Sequence, residues 1–156
     1  MFKKLLLLVA VVFVTYSVNA QAAFEKGDIG VNVGIKLGGV GTTFLPGLSA
    51  SAEYGMFPIG NAGVISLGGN FDASFGSGYV YMRPAFRAAF HLGFLNTEKF
   101  DVYGGVMSGI KLYGSNTLFW DDFIGGRYMF KNNMGVFAEV GFLSATNLRG
   151  GLCWIL

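Results

Sequence analysis

Between residues 28 and 156 the chain divides into runs of about ten residues in which apolar side chains alternate with small or polar ones, the length and rhythm of a tilted membrane strand. The first, DIGVNVGIKLGG (28–39), puts Ile29, Val31, Val33, Ile35 and Leu37 on one parity, and Gly30, Asn32, Gly34, Lys36 and Gly38 on the other. Successive side chains of a strand point to opposite sides, so each such run reads as a β-strand with one apolar face. LSASAEYGM (48–56), VISLGGNFDASF (64–75), YMRPAFRAAFHLGF (81–94), FDVYGGVMSGIKLY (100–113), LFWDDFIGGRYMF (118–130), GVFAEVGFL (135–143) and NLRGGLCWIL (147–156) continue the pattern.

The charges decide which face meets water. Lys36, Glu53, Asp72, Arg83, Arg87, His91, Asp101, Lys111, Asp121, Arg127, Glu139 and Arg149 share the parity of the glycines, alanines and serines, while Asp122 falls on the apolar side. A soluble barrel would surround such charges with Lys, Glu, Thr and Gln. Charged residues make up only 13% of this chain, against about 25% in an average soluble domain. Small companions suit the cramped lumen of eight strands, whose interior is only just wide enough for side chains, and charges there must pair. The expected fold is all-β: an eight-stranded antiparallel up-and-down transmembrane β-barrel with its apolar face against lipid.

The chain opens MFKKLLLLVAVVFVTYSVNAQA, two lysines followed by a short apolar run and a small-x-small triplet. This is the layout of a secretory signal peptide, giving the division 1–22 signal peptide and 23–156 barrel domain, with cleavage after Ala20 as the alternative. No later segment approaches the roughly 20 apolar residues of a membrane helix. Removing Lys3 and Lys4 leaves 9 Lys+Arg against 9 Asp+Glu, so a neutral mature chain gives no reason to expect nucleic acid as a partner. Cys153 stands alone, which excludes an internal disulfide framework and a lipoprotein anchor. Its parity predicts a free thiol shielded in the lumen.

An even strand count places both termini on the periplasmic side. Connections near 39–47, 76–80, 114–117 and 144–146 are then outer loops, and those near 57–63, 94–99 and 131–134 periplasmic turns. Tyr54, Phe90, Phe100, Tyr128, Phe130 and Trp154 fall near periplasmic strand ends, where aromatics form an interfacial girdle. Pro84 cannot donate to a ladder and predicts a bulge or a rim position.

With the signal, FEKGDIGVNVGIKLG, SASAEYG, FDVYGGVM, FIGGRYMF and NNMGVFAEVGF in view, the chain resembles the small outer-membrane β-barrel family of Gram-negative bacteria, the porin-like eight-stranded type related to OmpA and OmpX barrels. The resemblance covers nearly all of the mature chain. It implies the outer membrane, reached through the periplasm, with membrane lipid and the barrel-insertion machinery as partners. Such barrels commonly finish on an aromatic residue. This chain ends Trp154-Ile155-Leu156, so terminal recognition would rest on Leu156 with Trp154 behind it.

Chemical motifs are sparse. GGVGTTF (38–44) lacks the lysine and the following helix of a phosphate loop and reads as an outer loop. His91 is the only histidine, so no metal cluster or cofactor site is expected; a nucleophilic triad would require it to meet a serine and an acid such as Asp101, inside the lumen and away from lipid. Glu53, Arg87, Arg127 and Glu139, with Lys36 and Arg149, are expected to form a lumen charge network that plugs the barrel, because Tyr103, Met107, Phe123 and Phe137 share that interior. Phe44, Leu45, Tyr79 and Tyr81 could form an exposed rim. The preferred reading is a monomeric, non-enzymatic barrel with a structural or envelope-maintaining role. A small pore or ligand-binding barrel is the alternative, followed by an outer-membrane lipid-modifying enzyme or a soluble lipocalin-like carrier.

Overall fold

The computed structural model describes residues 22–40, 43–76, 78–112, 116–142 and 147–156. The expected signal peptide lies almost wholly outside them. Eight strands follow in chain order: β1 (Ile29–Val40), β2 (Thr43–Pro58), β3 (Gly63–Gly76), β4 (Tyr79–Leu92), β5 (Phe100–Lys111), β6 (Thr117–Lys131), β7 (Met134–Gly141) and β8 (Asn147–Ile155), with a single 3-10 turn at Gly60–Ala62 between β2 and β3. Each pairs antiparallel with the next, and β8 closes on β1. The closed circuit leaves no free edge strand among the described residues, so the wall pairs its own backbone groups as a bilayer demands, except where the β4–β5 ladder thins toward the loop end.

The stagger of this barrel can be followed residue by residue. Pairs lead from Val102 to Gly126, Ala138, Gly150, Ile35, Leu48, Ala73 and Met82, and return to the starting strand at Leu112, ten residues further on. A stagger of that size around eight strands tilts them about 40° from the barrel axis. From Trp120 to Phe130, both outward on β6, the rise along the axis is therefore about 25 Å, the height of a membrane barrel's apolar band. Between such levels the outer face carries Val33, Ile35, Leu48, Leu67, Phe71, Val106, Ile124, Val136 and Leu152, all exposed, and Phe86 at mid-wall is 85% exposed. In water this surface would be prohibitive.

The two ends differ. The turn end holds Gly60–Ala62, residues 93–99, Asn132–Asn133, the segment 22–28 and Leu156, while the loop end holds the other four connections. The strands run further into the connections than the sequence suggests, as at Gly76↔Tyr79 within the expected loop 76–80. The β1–β2 ladder runs on to Val40↔Thr43, so most of the expected loop at 39–47 is strand; Pro46 is tolerated opposite Leu37 close to the rim. Of the two outcomes expected for Pro84, a bulge or a rim position, the bulge is absent: it keeps regular register with Phe71 on β3, and the β4–β5 ladder ends beside it at Ala85↔Gly109 and reappears only as the bridge Met82↔Leu112. The bulges lie elsewhere, between Gly55 and Phe57 and between Met129 and Lys131. The turn expected at 131–134 narrows to Asn132–Asn133, with Lys131 and Met134 paired.

Candidate functional site

The lumen holds the chemistry. Lys36, Glu53, Asp72, Arg83, Arg87, His91, Asp101, Asp121, Arg127, Glu139 and Arg149 are all buried there. Lys111 is not: it shares their parity, but it is the last residue of β5 and stands exposed at the rim, about 6.0 Å from the Phe119 ring. Asp122 faces outward and accepts a hydrogen bond of 2.9 Å from the Phe142 backbone N–H beyond the end of β7. Small inward residues make the space. A Cβ at Gly30 would stand 2.9 Å from Arg127 Nη2, and one at Gly125 would stand 2.7 Å from Glu139 Cγ and 3.0 Å from Tyr103 Cε2. The inward glycines read from the sequence are the room into which the long side chains fold.

The six residues of the expected network fall into two clusters at different heights. Toward the turn end, Arg87 bridges Glu53 Oε2 at 3.1 Å and Glu139 Oε1 at 2.9 Å. Arg127 reaches Glu53, Asp101 Oδ2 at 2.8 Å and Asn32 Oδ1 at 2.9 Å. Tyr103 donates its hydroxyl to Glu139 at 2.9 Å, and the arginine planes lie over aromatic rings, Arg127 over Tyr103 at 4.7 Å and Arg87 over Phe123 at 4.1 Å. Arg127 and Glu139 do not touch, although their strands are adjacent. Register places Glu139 opposite Gly125, two residues from Arg127, and the link passes through Glu53 and Arg87.

Lys36 and Arg149 belong to the other cluster. Arg149 pairs with Asp72 at 2.8 Å, and Arg83 pairs with Asp121 at 3.3 Å. Lys36 Nζ donates to Ser74 Oγ at 2.9 Å. Ser49 and Asn70 donate to Asp72, and Asn147 to Asp121. The Arg83 guanidinium lies 4.1 Å from the centre of the Phe119 ring, an inward aromatic near the loop end.

Two features escaped the sequence. His91 Nδ1 lies 2.8 Å from Asp101 Oδ1, the acid the sequence offered it, and its Nε2 lies 3.0 Å from Ser66 Oγ and 3.7 Å from Glu53 Oε1; the alternation placed these groups inward but did not single out the serine or show that they meet. The second is Phe24, the sole large apolar residue between Ala23 and β1. It enters the turn end of the lumen, is fully buried, and stacks on the His91 ring at 4.0 Å and 19°. Asn96 ties it down, accepting from the Ala23 N–H at 2.9 Å and donating to Phe24 O at 2.8 Å. A three-residue neighbourhood without periodicity offers no pattern to read. Its apolar isolation among Glu25, Lys26 and Asp28 was the available signal.

The residues expected in the girdle all lie toward the turn end and face outward. Tyr54, Phe100, Tyr128 and Phe130 are exposed, Phe90 and Trp154 half-buried, and the Phe100 and Tyr128 rings meet at 5.0 Å across β5 and β6. At the other end Phe44 and Tyr79 are exposed while Leu45 and Tyr81 are half-buried. Cys153 is a free, buried thiol 3.9 Å from Met129 Sδ. Among the described residues no group of three or more His, Cys, Asp or Glu side chains is arranged to hold a metal ion.

No protein-family model matches this chain, and no curated protein does. Solved structures do. It is similar to a barrel from the de novo design of transmembrane β-barrels, at 15% identity and a TM-score of 0.66, over 88% of this chain and all of that one. It is also similar to the N-terminal β-barrel domain of Pseudomonas aeruginosa OprF, at 13% identity and a TM-score of 0.50, over 85% of this chain and all of that domain. The likeness is one of fold: an eight-stranded barrel of the small transmembrane type.

Proposed function

We propose that the chain is an outer-membrane protein whose barrel is structural, inserted as a monomer after export through the periplasm, with a sealed lumen that carries no flux and performs no turnover in its resting form. The observation that carries this reading is the filling of the cross-section. The ion-paired arginines stack on Tyr103 and Phe123, and aromatic rings stand near both mouths, Phe24 at the turn end and Phe119 at the loop end. Surrounding lipid and the barrel-insertion machinery are the partners such a protein needs. Planar-bilayer recording of the refolded chain tests the seal. Silence is expected, and reproducible unitary conductance would replace this reading with the pore.

One observation favours that second reading. Arg87 Nη1, Arg149 Nη1, Glu139 Oε2 and Asn70 Oδ1 are buried without a hydrogen-bond partner among the described residues, and groups of this kind recruit water. A file of such waters between the two clusters would be the start of a conduit. The lipid-facing assignment has its own test. Val33→Arg should cost about 2 to 4 kcal/mol of folding free energy in bilayers, since a cation at mid-wall loses its hydration with no partner in reach. The neighbouring change Asn32→Asp enters a lumen rich in arginine and should cost much less. Equal folding of the two variants, or a mature chain that is monodisperse without detergent, would favour the soluble carrier.

A further inference from the structure

The sealed-barrel reading leaves one linkage unused. Ser66 on β3, His91 on β4 and Asp101 on β5 are all completely buried, within the last few residues of the wall at the turn end. Asp101 can only accept, so the proton of that 2.8 Å contact sits on His91 Nδ1. The lumen's buried cations Lys36, Arg83, Arg87, Arg127 and Arg149 already equal in number its acids Glu53, Asp72, Asp101, Asp121 and Glu139. With that proton on Nδ1, Nε2 faces the Ser66 hydroxyl at 3.0 Å, with Glu53 Oε1 3.7 Å from the same nitrogen, which is the order nucleophile, base, orienting acid.

Space beside the serine is provided, and one side chain occupies it. Ser66 pairs across the ladder with Gly55, which points inward and has nothing to fill its side of the lumen. The Phe24 ring lies there instead: a Cβ at Gly55 would stand 3.2 Å from Phe24 Cε1 and 2.3 Å from the Glu25 carbonyl oxygen. The same ring covers His91. Arg127 flanks the hollow, its guanidinium 5.5 Å from the centre of the ring, with its nitrogens engaged by Glu53, Asp101 and Asn32. Beyond Phe24 opens a cleft of about 280 Å³ lined by Pro58, Asn61, Val64, Gly93 and Asn96. Phe24 therefore stands between that cleft and the serine. It is held by the two Asn96 contacts and by the backbone bonds of Gly27 and Asp28 to Gly55.

We infer that Ser66 is a nucleophile held in reserve, with His91 as its base and Asp101 as the positioning residue of that base, and that the seat vacated by Phe24 takes the aryl or similarly sized acyl group of an ester entering from the turn end. In the reaction Ser66 Oγ bonds to the acyl carbon and passes its proton to His91 Nε2. The ester C–O bond breaks, the alkoxide leaves with that proton as an alcohol, and water then releases the acid from Ser66 by the same route. Ser66 Oγ also lies 3.3 Å from Glu53 Oε2. A hydroxyl committed to Glu53 would make the arrangement purely structural, and the experiment separates the two.

The full chain, folded in detergent micelles, is treated with phenylmethanesulfonyl fluoride, whose phenyl group matches the seat. Ser66 Oγ bonds to sulfur, the S–F bond breaks, and the proton and fluoride leave together. Wild type should resist. Phe24→Ala should be sulfonylated at Ser66, seen by peptide mass spectrometry, and adding His91→Gln should slow labelling roughly 100-fold, the contribution of a positioned base. Adding Ser66→Ala should abolish it. Heat-modifiable gel migration certifies folding of each variant. If Phe24→Ala does not fold, Asn96→Ala, which cuts both side-chain ties and leaves the lumen side chains unchanged, takes its place. A folded, uncovered variant with unlabelled Ser66, or labelling indifferent to His91→Gln, overturns the proposal.

Discussion

The two halves of the lumen solve the same burial problem differently. In the turn-end cluster each arginine serves more than one acceptor: Arg87 joins Glu53 to Glu139, and Arg127 joins Glu53, Asp101 and Asn32. In the loop-end cluster the ion pairs are Arg149 with Asp72 and Arg83 with Asp121, each buttressed by neutral Ser or Asn donors. The first arrangement is a chain of shared charges; in the second, the direct ion pairs among the described residues are the two named, set in a bed of amides and hydroxyls. Sharing raises the stakes, because removing one member weakens the compensation of more than one buried partner at once.

That contrast can be broken by substitution. Glu53→Ala should have the largest effect, about 3 to 5 kcal/mol of unfolding free energy in urea titrations from lipid vesicles, since it takes one carboxylate from Arg87 and Arg127 at once and leaves the buried cluster with an excess positive charge. A cost no larger than that of a loop-end acid would erase the distinction. Next, Glu139→Ala and Arg87→Ala should be non-additive by roughly 1 to 3 kcal/mol in a double-mutant cycle, whereas Glu139→Ala with Arg83→Ala, drawn from different clusters, should be nearly additive. Asp121→Asn, which keeps its shape and loses one pair, should cost about 1 to 2 kcal/mol by the same titration. Smallest of all, Lys111→Ala should stay within about 0.5 kcal/mol of wild type, because that lysine belongs to neither cluster. A larger loss would mean that the rim is part of the loop-end network.

Alternation tells which face a residue takes and is silent about its height. Every lumen charge was legible from parity alone, since a one-residue slip would have turned the whole strand inside out, and Lys111 is the residue of that parity that lies at the rim instead. The division into two clusters was not legible, because neighbours across the lumen are set by a stagger that accumulates ten residues around the wall. Lys36 and Glu53 share a face and sit in adjacent strands, yet they serve different clusters. The same stagger hides the meeting of Ser66, His91 and Asp101. The long β2 was obscured by Pro46 and by the flexible look of GGVGTTF, where pairing supplied by β1 outweighs local preference.

The seat of Phe24 is assembled from Gly55 on β2, His91 on β4 and Asn96 in the turn before β5. None of these is in place until the strands that carry them have paired. Docking of residues 22–28 must therefore follow closure of that side of the barrel, and contacts made this late are absent from the barrier to folding. Such contacts leave the rate of formation almost untouched and act on the rate of escape. The segment is a latch in the kinetic sense: its loss would shorten the lifetime of the folded barrel far more than it would delay its birth.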